Sequence, residues 1–192
     1  NNLAKIHWRW GQNADVVVRM PTGAGVGAGP FHSQSNEAWF THTPGLKVVY
    51  PAFPNDAKGL LLSAIDDPNP VLFFEHKALY RSVRGNVPEG YYHTPIGKAQ
   101  LLQEGTDLTL ISYGAALHWV LDFLEETPHN ADVIDLRTLM PLDEETIYAS
   151  VRKTGRVLIV QEDVNFGGIS SDLSAKIMEH CFAYLDAPVK RV

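Results

Sequence analysis

Short runs rich in valine, isoleucine and leucine recur along this chain, and each is separated from the next by a stretch with helical character. Asp15 to Met20, bounded by Asn13 and Pro21, reads as a buried strand. A short helix over Asn36 to His42, a strand over Lys47 to Tyr50, a helix over Asn55 to Ile65 and a strand over Val71 to Glu75 follow. Upstream, Leu3, Ile6 and Trp10, interleaved with Lys5 and Arg9, suit an amphipathic helix ended by Gly11. Strands that are apolar throughout, rather than alternating, are covered on both faces. The rhythm therefore predicts an α/β fold with mainly parallel sheets and right-handed crossovers.

From Arg81 to Pro95 the periodicity stops, and Gly85, Asn86, Pro88, Gly90 and Pro95 give the segment the composition of a linker. The rhythm then resumes. Strands are expected at Gln100 to Gln103, Leu108 to Tyr113, Asp132 to Leu136 and Val157 to Gln161, with helices over Ala115 to Glu126, Asp143 to Lys153 and Gly168 to His180. The expected organisation is a unit over residues 1–80, a linker over 81–95 and a second unit over 96–192.

Composition removes several function classes. The net charge is -6 and the basic residues are scattered singly, so the electrostatic footprint of a nucleic-acid binder is missing. The longest apolar candidate, Leu108 to Leu121, is interrupted by Thr109, Ser112, Gly114 and His118 and falls short of the roughly 20 residues of a membrane span. A soluble protein without nucleic-acid or membrane partners is expected. The single cysteine, Cys181, excludes an internal disulfide and fits a reducing compartment, cytoplasm or mitochondrial matrix.

In open parallel sheets ligands gather beyond the carboxyl ends of the strands, which directs attention to the loops after Met20, Tyr50, Glu75, Tyr113, Leu136 and Gln161. The first of these is Gly23-Ala24-Gly25-Val26-Gly27-Ala28-Gly29-Pro30. It does not satisfy G-x-G-x-x-G in either register, and no acidic residue follows about 20 positions on, so a dinucleotide site is not expected. Alternating glycines instead let the backbone run close to another surface at positive φ. Directly after them stands Phe31-His32-Ser33-Gln34-Ser35, before a helix that Ser35 or Asn36 could cap. An imidazole titrates near neutral pH and passes protons, which makes His32 the leading catalytic candidate, against the plainer reading of a loop histidine that bonds its neighbours.

Other features carry less. The histidines lack metal-ligand spacing, so zinc is not expected. Trp8, Trp10, Trp39 and Trp119 fall at helical positions and read as core or interface residues. Asp135-Leu136-Arg137 and Gln161-Glu162-Asp163 sit at strand ends, where ion pairs at a subunit interface account for them as well as a site does. Gly167-Gly168 opens a helix whose first amides could face an anion.

Taken in order, Arg19-Met20-Pro21, the glycine loop, His32-Ser33-Gln34-Ser35, Glu37-Ala38, Pro44 to Val49 and Ala57 to Leu61 resemble the beta subunit of the decarboxylating component of 2-oxo acid dehydrogenase complexes, a transketolase-like family. So do Asn69-Pro70, Leu79-Tyr80-Arg81, Asp135 to Thr138, Pro141 and Lys153 to Arg156. The resemblance runs through the whole chain. It implies that residues 1–80 are the C-terminal part of a pyrimidine-binding domain. It implies equally that 96–192 are a transketolase C-terminal-type three-layer α/β/α domain, with the chain incomplete at both ends.

The resemblance further implies an enzyme that depends on thiamine diphosphate with magnesium, both bound mainly by parts outside this chain. The reaction is oxidative decarboxylation of a 2-oxo acid with transfer of the acyl group to lipoamide. His32 would serve the lipoyl step, with Ser33 and Gln34 beside it. The implied partners are an alpha-type subunit or fused alpha region, a second beta-type subunit and a lipoyl-bearing acyltransferase, in an α2β2 assembly. It also implies a potassium site of mainly backbone oxygens at Ala14, Val16, Val17, Ala64, Asp67 and Asn69, where oxygen donors suit a hard cation. An acetoin dehydrogenase-type subunit and a noncatalytic docking or dimerisation module remain the alternatives. His32-Ser33-Gln34-Ser35 with Leu79-Tyr80-Arg81 looks more like branched-chain than pyruvate members.

Overall fold

All six residues of Val71–His76 are buried; Val71 to Phe74 are apolar, as the inside of a covered sheet requires, and Glu75 and His76 close the strand with buried polar groups. In the computed structural model, which describes residues 1–192, this strand is flanked on both sides. The chain runs α1 (Asn2–Trp10), β1 (Val17–Thr22), α2 (Ala38–Thr41), β2 (Lys47–Val49), α3 (Pro54–Asp66), β3 (Val71–His76) and α4 (Leu79–Ser82). It continues with β4 (Gln100–Gln103), β5 (Leu108–Ser112), α5 (Gly114–Glu126), β6 (Ala131–Asp135), β7 (Thr138–Met140), α6 (Glu144–Thr154), β8 (Val157–Ile159), α7 (Ile169–Cys181) and β9 (Lys190–Arg191). One sheet has the order β1-β3-β2-β7 and the other β4-β6-β5-β8-β9. Pairing is parallel except at β2–β7 and β4–β6. The fold is α/β, as the apolar runs imply.

Local chemistry sets the element ends. α3 starts on Pro54, whose ring presets the first helical φ, and stops before Pro68. At α6, Asp143 caps the amide of Thr146, Glu144 and Glu145 occupy the first turn, Arg152 and Lys153 the last, and Gly155 closes the helix at φ 68. Every charge there complements the helix dipole. β1 runs through Pro21 to Thr22 rather than stopping at Met20. It is an edge strand, where a missing amide costs no ladder bond.

β7 belongs to the chain's second half yet pairs with β2 of the first, Val48 opposite Met140. The largest core cluster also crosses, packing Val48, Tyr50, Leu72 and Phe74 against Ile111, Tyr113, Leu136 and Leu139. The two halves share one interior.

Several expectations need correction. Neither Ser35 nor Asn36 caps α2, which begins after Glu37 without a side-chain cap bond. α4 occupies the start of the segment read as linker, leaving 83–95 without helix or strand. Of the core and interface readings of the tryptophans, the core one fails: Trp8 is 86% exposed, Trp39 71%, Trp10 66% and Trp119 50%. α1 forms and ends at Gly11 as expected, but none of its residues is buried. No helix is long and apolar enough to cross a membrane.

Candidate functional site

The carboxyl ends of β1, β3, β5 and β8 converge, and what they bring together is polar. Gly23, one residue beyond β1, sits at φ 87, and a Cβ there would lie 2.1 Å from the His76 imidazole. Only glycine fits so close an approach in that conformation. The adjacent Ala24 amide donates to Glu162 Oε1 at 2.7 Å. Glu162 Oε2 lies 2.7 Å from His76 Nε2, with the His76 side chain 3% and the Glu162 side chain 15% exposed. Burial pushes the Glu162 carboxyl up, but the bonds from His76 and Ala24 outweigh it and hold the group below its ordinary range. A carboxylate beyond β8 thus grips both the end of β3 and the loop beyond β1.

Next to this pair the Glu37 carboxyl is fully buried and accepts from the Tyr113 hydroxyl at 2.8 Å, while its Oε2 has no partner. Burial pushes it up to about 7, against the pull of its backbone and Tyr113 bonds, and Asp163 and Glu162 add to the rise. Tyr113 packs against the Tyr50 ring at 5.4 Å between centroids, and the following Gly114, at φ 56, leaves room for that ring.

The glycine loop is closed at its base. The Gly23 amide and the Thr22 hydroxyl both donate to the Gln34 carbonyl, at 3.1 and 2.8 Å, and Lys77 Nζ donates to the His32 carbonyl. Residues 24–32 are exposed, His32 included. His32 borders an opening of about 590 Å³ with Arg19, Phe31, Gln34, Asn36 and Lys77. Ser33 faces a neighbouring one of about 670 Å³ with Trp39, Glu162, Asp163 and Phe166, and Gln34 reaches both. An imidazole so placed can exchange a proton with a group arriving from outside. The two cations beside it are already engaged, Arg19 in a two-pronged pair with Glu75 and Lys77 on the His32 carbonyl.

Two of the strand-end charges find partners within the chain. Arg137 pairs with Asp56 at 3.1 Å, and Glu162 with His76. The α7 N-terminus is also spoken for, because Gln161 Oε1 accepts from the Ser170 amide at 2.8 Å. His76, Glu37 and Tyr113 escape a reading of the sequence. The strand-end rule points to their loops, but nothing local joins His76 to a partner 86 positions away.

The six residues named for potassium gather where α3 ends and β1 and β3 begin, tied by the Ala14 amide to the Pro68 carbonyl at 3.2 Å. The Ala14 and Val16 carbonyls each accept one backbone amide, from Val16 and Val71, and each keeps a second lone pair. Ala64 lacks a helical donor because residue 68 is proline. The Asp67 carboxylate is taken by Lys47 and by Asn69. Carbonyls, not the carboxylate, are the oxygens left to hold a cation. No group of three or more His, Cys, Asp or Glu side chains is arranged to bind a metal.

Comparison with known proteins places this architecture. The transketolase pyrimidine binding domain matches residues 3–83 and the transketolase C-terminal domain residues 97–192. The 2-oxoisovalerate dehydrogenase subunit beta of Bacillus subtilis (strain 168) is 50% identical over 197 residues, covering 100% of this chain and 60% of the relative. The mitochondrial 2-oxoisovalerate dehydrogenase subunit beta of Dictyostelium discoideum is 46% identical, over 100% of this chain and 54% of its own length. The pyruvate dehydrogenase E1 component subunit beta of Bacillus subtilis (strain 168) is 47% identical, over 99% and 60%. A solved split-gene transketolase, an inactive beta4 tetramer, superposes with a TM-score of 0.74 at 24% identity, over 99% of this chain and 64% of that one, a likeness of fold. The chain thus spans about 60% of the length of the Bacillus relatives. With one domain model matched in each half, the chain belongs to the transketolase family.

Proposed function

We propose that this chain is the larger part of a beta subunit in the decarboxylating component of a 2-oxo acid dehydrogenase complex. The observation that carries the reading is His32, exposed at the rim of an opening on a glycine loop, with Arg19 and Lys77 beside it. Identity to oxoisovalerate and pyruvate dehydrogenase beta subunits over the whole chain supports it.

Thiamine diphosphate with magnesium, held mainly by regions outside these residues, supplies the electron sink for loss of carbon dioxide. His32 acts where lipoamide arrives. In that step the acyl carbon would bond to one dithiolane sulfur as the S–S bond breaks and would then part from its carrier, so that the acyl unit is oxidised and the disulfide reduced. The departing sulfur needs a proton, which the His32 imidazole donates. Ser33 and Gln34 border the path of the lipoyl arm, and backbone oxygens at Ala14, Val16, Val17, Ala64, Asp67 and Asn69 would hold a potassium ion at the base of β1.

The assembly proposed is α2β2, with an alpha-type subunit, a second beta-type subunit and a lipoyl-bearing acyltransferase, in the cytoplasm or the mitochondrial matrix. Residues 1–80 and 96–192 are proposed as its two domains. The substrate class is a branched-chain 2-oxo acid, on the strength of His32-Ser33-Gln34-Ser35 and Leu79-Tyr80-Arg81. Assaying the full-length beta chain with its alpha partner on a panel of 2-oxo acids tests this. Higher kcat/KM for 3-methyl-2-oxobutanoate than for pyruvate is expected, and turnover of none of the panel sinks the proposal.

A further inference from the structure

The Glu162 carboxylate has two bonds, and they lead to different halves of the site. Oε1 takes the Ala24 amide at 2.7 Å, inside the glycine loop. Oε2 takes His76 Nε2 at 2.7 Å, at the end of β3. His76 in turn lies under Gly23, leaving no room for a Cβ, and its Nδ1 accepts from the Ala78 amide at 3.3 Å. The loop leaves β1 at Gly23 and returns at Gln34, which Thr22 and Gly23 bind through its carbonyl. Between those points the Ala24 amide and the His32 carbonyl hydrogen-bond other elements. The Lys77 contact uses a flexible exposed side chain. The Glu162 contact comes from a half-buried carboxylate fixed at its other oxygen.

From this we propose that Glu162 is a positioning residue, which through Ala24 and His76 sets the glycine loop at the height that carries His32 to the incoming substrate. The inference rests on the reading of His32 given above. A loop of exposed glycines has a large choice of conformations, and a charge-assisted bond near its base removes most of it. The tie also lets the second half of the chain, through the loop after β8, hold a loop of the first.

Two variants of the assembled full-length enzyme test this. Glu162→Ala removes the tie. Gly23→Ala leaves Glu162 in place but forces the loop off His76, because the new Cβ meets the imidazole 2.1 Å away at φ 87. Hydrogen exchange across residues 25–34 should quicken on the order of tenfold in both, while exchange in β5 and β6 of the same molecules stays as it was. Exchange that rises everywhere in one variant marks global loosening and leaves the other to decide. Lipoamide-dependent kcat should fall on the order of 10²-fold, with decarboxylation read by an artificial electron acceptor largely retained. Unchanged loop exchange in the variants overturns the proposal whatever the activity does. A freed loop with unchanged lipoamide turnover overturns its functional half. If His32→Ala is silent as well, the fault lies in the reading of His32 and not in the tether.

Discussion

The Tyr113 hydroxyl donates to Glu37 across 2.8 Å, joining the loop after β5 to the residue before α2, and the second oxygen of that buried carboxyl is left without a partner. Its charged form is therefore disfavoured in the fold, where burial carries the group from 4.5 up to about 7. A raised carboxyl contributes stability that is fully present below its unfolded pKa and is lost as pH rises through the folded value. The loss for this group is on the order of 3 kcal/mol between about pH 4 and about pH 8. Asp135, pushed up to about 7 chiefly by burial, acts in the same window. The thermal midpoint of the chain should fall as pH rises from about 5 to about 8, and Glu37→Gln should flatten part of that slope. A midpoint that stays level in wild type across the window contradicts the burial of an unpaired charge.

Gly114→Ala should destabilise the chain by about 2–5 kcal/mol, combining strain at positive φ with overpacking. The new Cβ would lie 2.7 Å from the Tyr50 ring, itself stacked on Phe74 in the shared core. Chemical denaturation checks this, and a loss below about 0.5 kcal/mol, the range of ordinary surface changes, would mean that the ring has room to move.

Limited proteolysis should start between Val83 and Gly90, where most residues are exposed and none is in a helix or strand. The two products should nonetheless elute together. β7 stays paired with β2, and Tyr50, Phe74, Tyr113 and Leu136 remain packed in one cluster. Fragments that separate without denaturant would show that the shared interior contributes little.

The sheets were readable because their residues are: Val71–Phe74 is apolar at every position, and Leu108–Ile111 at all but Thr109, so both belong inside a covered sheet. β7 was not, since Thr138–Met140 is three residues long and is a strand only because β2 offers an edge beside it. The tryptophans show the opposite limit. Their spacing on Asn2–Trp10 and Gly114–Glu126 marks a helix, but spacing does not say whether anything covers it. Within the site, His32 stood out for its neighbours and its place after a strand. The bonds that hold its loop, from Glu162 to Ala24 and His76, join residues 138 and 86 positions apart and appear only once the chain is folded.

His32→Ala in the assembled full-length enzyme, followed in two assays, decides whether His32 serves the lipoyl step. Lipoamide-dependent turnover should fall by about 10²–10⁴-fold, the usual loss for a proton-transfer group. The thermal midpoint should barely move, because an exposed loop side chain contributes little to folding. Decarboxylation read with an artificial electron acceptor, which bypasses the lipoyl step, should be affected far less. Near-normal turnover in both assays, or an equal loss in both, would contradict the assignment of His32 to lipoyl acylation.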